Sequence, residues 1–207
     1  MNRYRLNSAR SRGFTMIEVL VSLLIIVLGL LGLAGLQVRI QQSEFESYQR
    51  AQALVLLQDM VERIHQQRVV AKCFQFTTDT AAGTPYLGAG ATATPACALS
   101  AVSTNNTQAV LSMGEWNSWL QGAAETKGGA QAGAMLGARG CVSYAAGTEL
   151  ENPPGTPLAD TGIYTVAISW QGTIDTFAPT DNCANGLYGA ETRRRTVTTT
   201  FRLAQLR

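Results

Sequence analysis

Few residues of this 207-residue chain are placed to do chemistry, and most of those are marked by what they lack. His65 is the single histidine and falls beside an apolar helical stripe, which removes most acid–base and metal arrangements. Asp59 and Glu62 share a helix face three residues apart, a spacing that reads as a solvated edge and not as a catalytic pair. Serines and threonines are plentiful, yet no G-x-S-x-G elbow presents one as a nucleophile. Gly88-Ala89-Gly90 lacks the flanking strand and helix of a dinucleotide fingerprint. No catalytic residue, metal site or cofactor is expected, and the chain does not read as an enzyme.

Cys73, Cys97, Cys141 and Cys183 are the four cysteines. Their spacings are too wide and irregular for a zinc site, and no C-x-x-C pair suggests thiol exchange. An even count on the far side of a long apolar run points to two disulfides in an oxidising compartment. Three pairings are open, with the nearest-neighbour one, Cys73–Cys97 and Cys141–Cys183, preferred. Each bridge adds about 3–4 kcal/mol on the loop-entropy account. Arg193-Arg194-Arg195 stands at the entry to the last strand. Phosphate contact is one reading of three consecutive cations. The other is an edge-strand or inter-subunit contact, with strand alternation turning Arg194 away from its neighbours. The formal charge of +2 comes from Arg3, Arg5, Arg10 and Arg12, since the rest of the chain holds 12 basic against 14 acidic residues. Nucleic acid is therefore not expected as a partner.

One carboxylate stands where charge is costly. Phe14 to Leu36 is a 23-residue apolar run in which Glu18 is the only charged residue. An ionised glutamate at mid-bilayer costs about 2–3 kcal/mol on insertion scales, and less near the edge. Glu18 therefore either snorkels to the headgroups or meets a partner cation. The run has the ~20 residues that a spanning helix needs and is too long for the core of a cleaved secretory signal. Four arginines precede it and none follows until Arg39, which sets the N-terminus in the cytoplasm and the body on the opposite side.

Arg12-Gly13-Phe14-Thr15-Met16-Ile17-Glu18 joins a basic leader, a glycine, a phenylalanine, an acid four residues on and the long apolar run. This junction resembles the class III signal of type IV pilins and their relatives. The resemblance implies that prepilin peptidase cuts between Gly13 and Phe14 and that the new Phe14 amine is N-methylated. It also implies an assembly role for Glu18, whose carboxylate meets the Phe14 amine of a neighbouring subunit. Such a pair attracts strongly at low dielectric and selects one register.

The elements that must carry these residues follow from hydrophobic period. No proline occurs before Pro85, and Phe14 to about Arg68 reads as one long helix, roughly 80 Å at 1.5 Å per residue. Its first half is apolar all round. The stretch 38–52 is polar, with Arg39, Glu44, Glu46 and Arg50; then Ala53, Leu57, Met60, Val61 and Ile64 form a stripe to pack on a body. Gly29, Gly32 and Gly35 interrupt the membrane half, either for close helix packing or as a segment able to melt in a filament. Cys73 to Thr77 reads as the start of a strand, and 81–107 as a long loop stapled by its cysteines. Ser112-Met113-Gly114-Glu115 matches a capping box ahead of a short amphipathic helix stopped by Gly128-Gly129, with Trp116 and Trp119 buried on the sheet. Cys141–Tyr144, Tyr164–Trp170 and Val197–Leu203 read as strands. The expected fold class is α+β, a pilin-like lollipop: a long N-terminal helix, transmembrane then amphipathic, packed on an antiparallel β-sheet.

This organisation also resembles the PilV-type minor pilins, the type IV pilus modification proteins. The likeness lies at Gly13–Gln37, Leu56–Ile64, Glu115-Trp116, Gly140-Cys141 and Tyr164–Trp170 followed by Gly172. It implies a leader peptide over 1–13, a transmembrane and filament-core helix over 14–37, its amphipathic half over 38–70 and a periplasmic or extracellular α+β domain over 71–207. The implied partners are prepilin peptidase, other minor pilins, the major pilin and an inner-membrane assembly platform, with the membrane holding the chain before assembly. The implied location is the inner membrane, single-pass with the N-terminus cytoplasmic, and then the pilus. The implied function is that of a minor pilin incorporated into, or priming, the filament. A type II secretion pseudopilin and a DNA- or surface-binding tip receptor are the alternatives.

Overall fold

A computed structural model of the chain describes residues 13–123, 126–127, 130–131 and 135–204. The leader arginines and Gly128-Gly129 lie outside them, and the helix expected to stop at those glycines already ends at Leu120. The chain divides into two compact units between Glu44 and Phe45. Helix α1 (Met16–Gln66) begins in the first and ends in the second.

From Met16 onward the first unit is bare helix. Its large apolar side chains, from Phe14 through Leu36 to Ile40, are all exposed. A helix apolar all round needs lipid or other helices to cover it. Among the described residues, α1 is the one helix long and apolar enough to cross a membrane. Gly29, Gly32 and Gly35 are helical, and a Cβ added at any of them would meet nothing within 4 Å. Their small size therefore serves no contact among the described residues.

In the second unit α1 buries Gln49, Ala53, Leu57, Met60, Val61 and Ile64, the expected stripe extended by one polar residue. A four-stranded antiparallel sheet packs on it in the order β1 (Leu87–Gly88), β4 (Arg139–Ala145), β5 (Ile163–Gln171), β6 (Arg194–Arg202). Strands β2 (Thr126–Lys127) and β3 (Ala130–Gln131) form a separate two-residue ladder. The fold is thus α+β, a long N-terminal helix with an antiparallel sheet. Strand β5 lies at the middle of the register, with Tyr164 opposite both Tyr144 and Phe201. Its even positions, Tyr164, Val166, Ile168 and Trp170, enter the core that contains the α1 stripe. Two of its odd positions, Ala167 and Ser169, are buried as well. Cys141, Ala167, Cys183, Ala184 and Tyr188 make a second, smaller core. The segment 172–190 supplies three of these five residues. Tyr188 holds its place by donating from its hydroxyl to the Gly137 and Ser169 carbonyls at 3.0 and 2.9 Å.

Cys73 is bonded to Cys97 and Cys141 to Cys183, closing 24- and 42-residue separations. Two local expectations fail. Cys73–Thr77 is not a strand: a 3₁₀ helix over Arg68–Phe74 runs into it, and the Phe76 N–H folds back to the Phe74 carbonyl at 2.9 Å. The two phenylalanines are buried by that turn and not by pleating. Helix α2 (Ser103–Leu120) starts nine residues before the expected Ser112 cap. Ser112 instead lies in the buried stripe with Ala109, Met113, Trp116 and Leu120, its hydroxyl taken by Gln67 Nε2 at 2.7 Å. A polar residue in the stripe concealed the helical period. Trp116 is fully buried, whereas Trp119 stays 37% exposed under the Arg63 guanidinium, 4.7 Å from its ring.

Trp116 sets the space above the sheet at Gly140, where an added Cβ would stand 2.0 Å from the indole edge and 3.0 Å from Leu120. Gly140→Ala is expected to cost about 1–3 kcal/mol by overpacking, read as a lowered thermal unfolding midpoint with both disulfides intact.

Candidate assembly site

Glu18 owes its local setting to the start of α1. Thr15 immediately precedes the helix, and its hydroxyl accepts from the Glu18 N–H at 3.3 Å. Thr15-x-x-Glu18 is thus the sequence of a capping box, with the threonine half made. The acid sits in the first turn, where the helix dipole favours negative charge. Ser22 closes the next turn by donating to the Glu18 carbonyl at 2.6 Å. Thr15 and Ser22 were not singled out from sequence, although the T-x-x-E signal was readable there. The Glu18 carboxylate itself makes no hydrogen bond or ion pair among the described residues. It borders a shallow apolar depression lined by Phe14, Val19, Ser22, Leu23 and Ile26. Phe14 is 83% exposed. A carboxylate and an apolar surface, both open on one helix, can receive a cation that carries apolar groups.

Other chemistry-bearing residues are dispersed and committed. Asp59 pairs with Arg63 at 2.6 Å while Glu62 accepts from Gln58, so the two acids do not act together. The His65 ring rests 5.0 Å from that of Phe201. The three consecutive arginines separate. Arg194 turns inward, with 1% of its side chain exposed, to Glu191 at 2.6 Å and the Asp181 and Cys183 carbonyls. Arg193 pairs with Asp175, and Arg195 donates to the Thr192 and Ile174 carbonyls and to Glu46. Arg194 has no surface to offer a phosphate.

Glu46 is a contact that the sequence did not reveal, because its partners lie 127 or more residues away. Its Oε1 accepts from the Thr173 hydroxyl at 2.9 Å, the Thr173 and Ile174 N–H groups and Arg195 at 3.4 Å. Burial acts to raise its pKa, but the bonds from Thr173 and the charge of Arg195 outweigh it and hold the value below the ordinary range. Its contribution is therefore complete above the unfolded carboxylate value of about 4.3 and fades as pH falls through the lower native value.

The profile of the prokaryotic N-terminal methylation motif matches residues 8–34. No curated protein matches the chain, and no solved structure matches it. The motif supports a pilin-type protein, a type IV pilin-like or pseudopilin subunit. With the long apolar start of α1, it points to membrane anchoring, processing by prepilin peptidase and assembly with other pilins.

The Glu46 cluster gives a pH test. Glu46→Gln is expected to lower stability by of order 1 kcal/mol at neutral pH, solvent screening keeping the loss small. Thermal unfolding midpoints of the two proteins should converge as pH drops below about 4.

Proposed function

We propose that this chain is a minor pilin of the type IV pilus, of the PilV type, which enters the filament or primes it with other minor pilins. The supporting observation is the junction Gly13-Phe14 followed by Glu18, an acid with an open carboxylate on an otherwise apolar helix. Prepilin peptidase removes residues 1–13, and the Phe14 amine is N-methylated. Residues 14–37 form the filament core, 38–70 the amphipathic continuation and 71–207 the exported domain. Before assembly the subunit sits once in the inner membrane with its N-terminus cytoplasmic.

In the filament, the Glu18 carboxylate pairs with the Phe14 ammonium of a neighbour. Neither charge is well solvated once apolar helices surround it, so each unpaired subunit is driven toward the one register that joins them. The same leader serves pseudopilins of type II secretion. A deletion strain separates the two, since loss of pili supports the pilus role and loss of secretion with normal pili supports the other.

Intact mass of the mature protein should correspond to a chain starting at Phe14, carrying one methyl group and lacking four cysteine protons. At equal expression, Glu18→Ala should reduce the subunit found in sheared pili several-fold, while cleavage after Gly13 continues. Undiminished incorporation would remove the pairing.

A further inference from the structure

The two disulfides differ in how far solvent reaches them. Cys141 and Cys183 are 5% and 3% exposed and belong to the smaller core with Ala167, Ala184 and Tyr188. Cys73 is 8% exposed. Cys97 alone of the four is only partly buried. It opens on a cavity of about 350 Å³ whose other lining residues, Ser103, Asn106, Thr107 and Val110, all come from α2. Ser103 is the first residue of that 18-residue helix, and Val102 before it supplies no side-chain cap. The positive end of the helix dipole therefore lies beside the cavity and favours an anion there. The chain from 80 to 114 carries no charge of its own to oppose one.

We propose that Cys97 is a thiol-exchange site, at which an external thiolate attacks Sγ and is held as a mixed disulfide while the fold stays intact. The chain has no C-x-x-C pair of its own, so the nucleophile comes from another molecule. Its sulfur bonds to Cys97 Sγ as the Cys73–Cys97 bond breaks. The electron pair leaves on Cys73 Sγ, which takes a proton from water. Return attack by Cys73 reverses the step and releases the thiol. Exchange depends on access to the attacked sulfur, and exposed bridges are the labile ones. A buried bridge exchanges only after the chain opens around it.

Both ends of this bridge are held by other contacts. The Ser100 N–H donates to Asn106 Oδ1 at 2.9 Å, and Asn106 Nδ2 donates to the Ser100 carbonyl at 2.7 Å. Asn105 Nδ2 and the Val102 N–H reach the Ser100 hydroxyl. Cys97 is thus three residues from a point fixed to α2. Cys73 belongs to the 3₁₀ helix whose Val70, Ala71 and Phe74 are buried. Asn106 Oδ1 also stands 3.3 Å from Cys97 Sγ, placed to accept from an S–H there after full reduction. The other bridge is part of its core: the Cys183 carbonyl accepts from the Ser169 hydroxyl and from the buried Arg194.

Full-length oxidised protein in detergent, treated with glutathione at neutral pH and quenched with iodoacetamide, tests this by peptide mass mapping. Glutathione is expected on Cys97 and carbamidomethyl on Cys73, with Cys141–Cys183 unopened. The near-ultraviolet dichroism of the buried Trp116 and Trp170 should be unchanged. Thr107→Trp fills the cavity from an exposed helix position and should slow the adduct several-fold at an unaltered thermal midpoint. Glutathione on Cys73, or Cys141–Cys183 opening as fast as its counterpart, overturns the site. So does loss of the dichroism along with adduct formation, or a Thr107→Trp variant that reacts at the parent rate. A thioredoxin-type protein keeping only its attacking cysteine is run in parallel. Adduct with glutathione alone assigns the site to small thiols, adduct with the protein alone assigns it to protein thiols, and adduct with neither overturns it.

Discussion

A carboxylate on an apolar helix has to be neutralised, hydrated or paired, and α1 leaves Glu18 to find its partner elsewhere. Thr15 caps the helix through the Glu18 N–H, and Ser22 takes the Glu18 carbonyl, so the main chain around the acid is satisfied. The side chain is the part left open. All apolar residues around it are exposed as well. In the assembly proposed above, both needs, cover for the hydrocarbon surface and a cation for the acid, would be met together by a neighbouring helix that brings a charged end.

The second unit follows a different logic, in which almost every charge is internally committed. Arg63 bridges Asp59 and Glu115, and Lys72 reaches Asp160. Arg202 donates to the Thr148 and Thr161 carbonyls. These contacts fasten loops to regular elements. Stability comes from the α1 stripe against β5, with a second core on the far face closed by Cys141–Cys183.

Much of this was legible in the sequence because it rests on period. The α1 stripe and strands β4, β5 and β6 appear where alternation or the 3.6-residue repeat places them. Period failed where a polar residue took an apolar position, as Ser112 does in α2, and where a turn imitated alternation, as at Phe74 and Phe76. It was also silent on segment 172–190, whose burial is created by Ala184 and Tyr188 meeting the small side of β5 across the disulfide. Glu46 shows the same limit: a lone acid in a polar stretch carries no mark of a partner more than 120 residues on. The junction at Gly13 to Glu18 was readable because its information is local, and Thr15 belonged to it all along.

The bridges also determine what a proteolytic nick can do. Loop 146–162, largely exposed and carrying Pro153, Pro154 and Pro157, lies between Cys141 and Cys183. A cut there severs the backbone but leaves the C-terminal fragment, with the last strand, tied to the sheet by sulfur. Cleavage between Cys97 and Cys141 spares no such link. The chain would thus lose continuity at this exposed loop without shedding a piece.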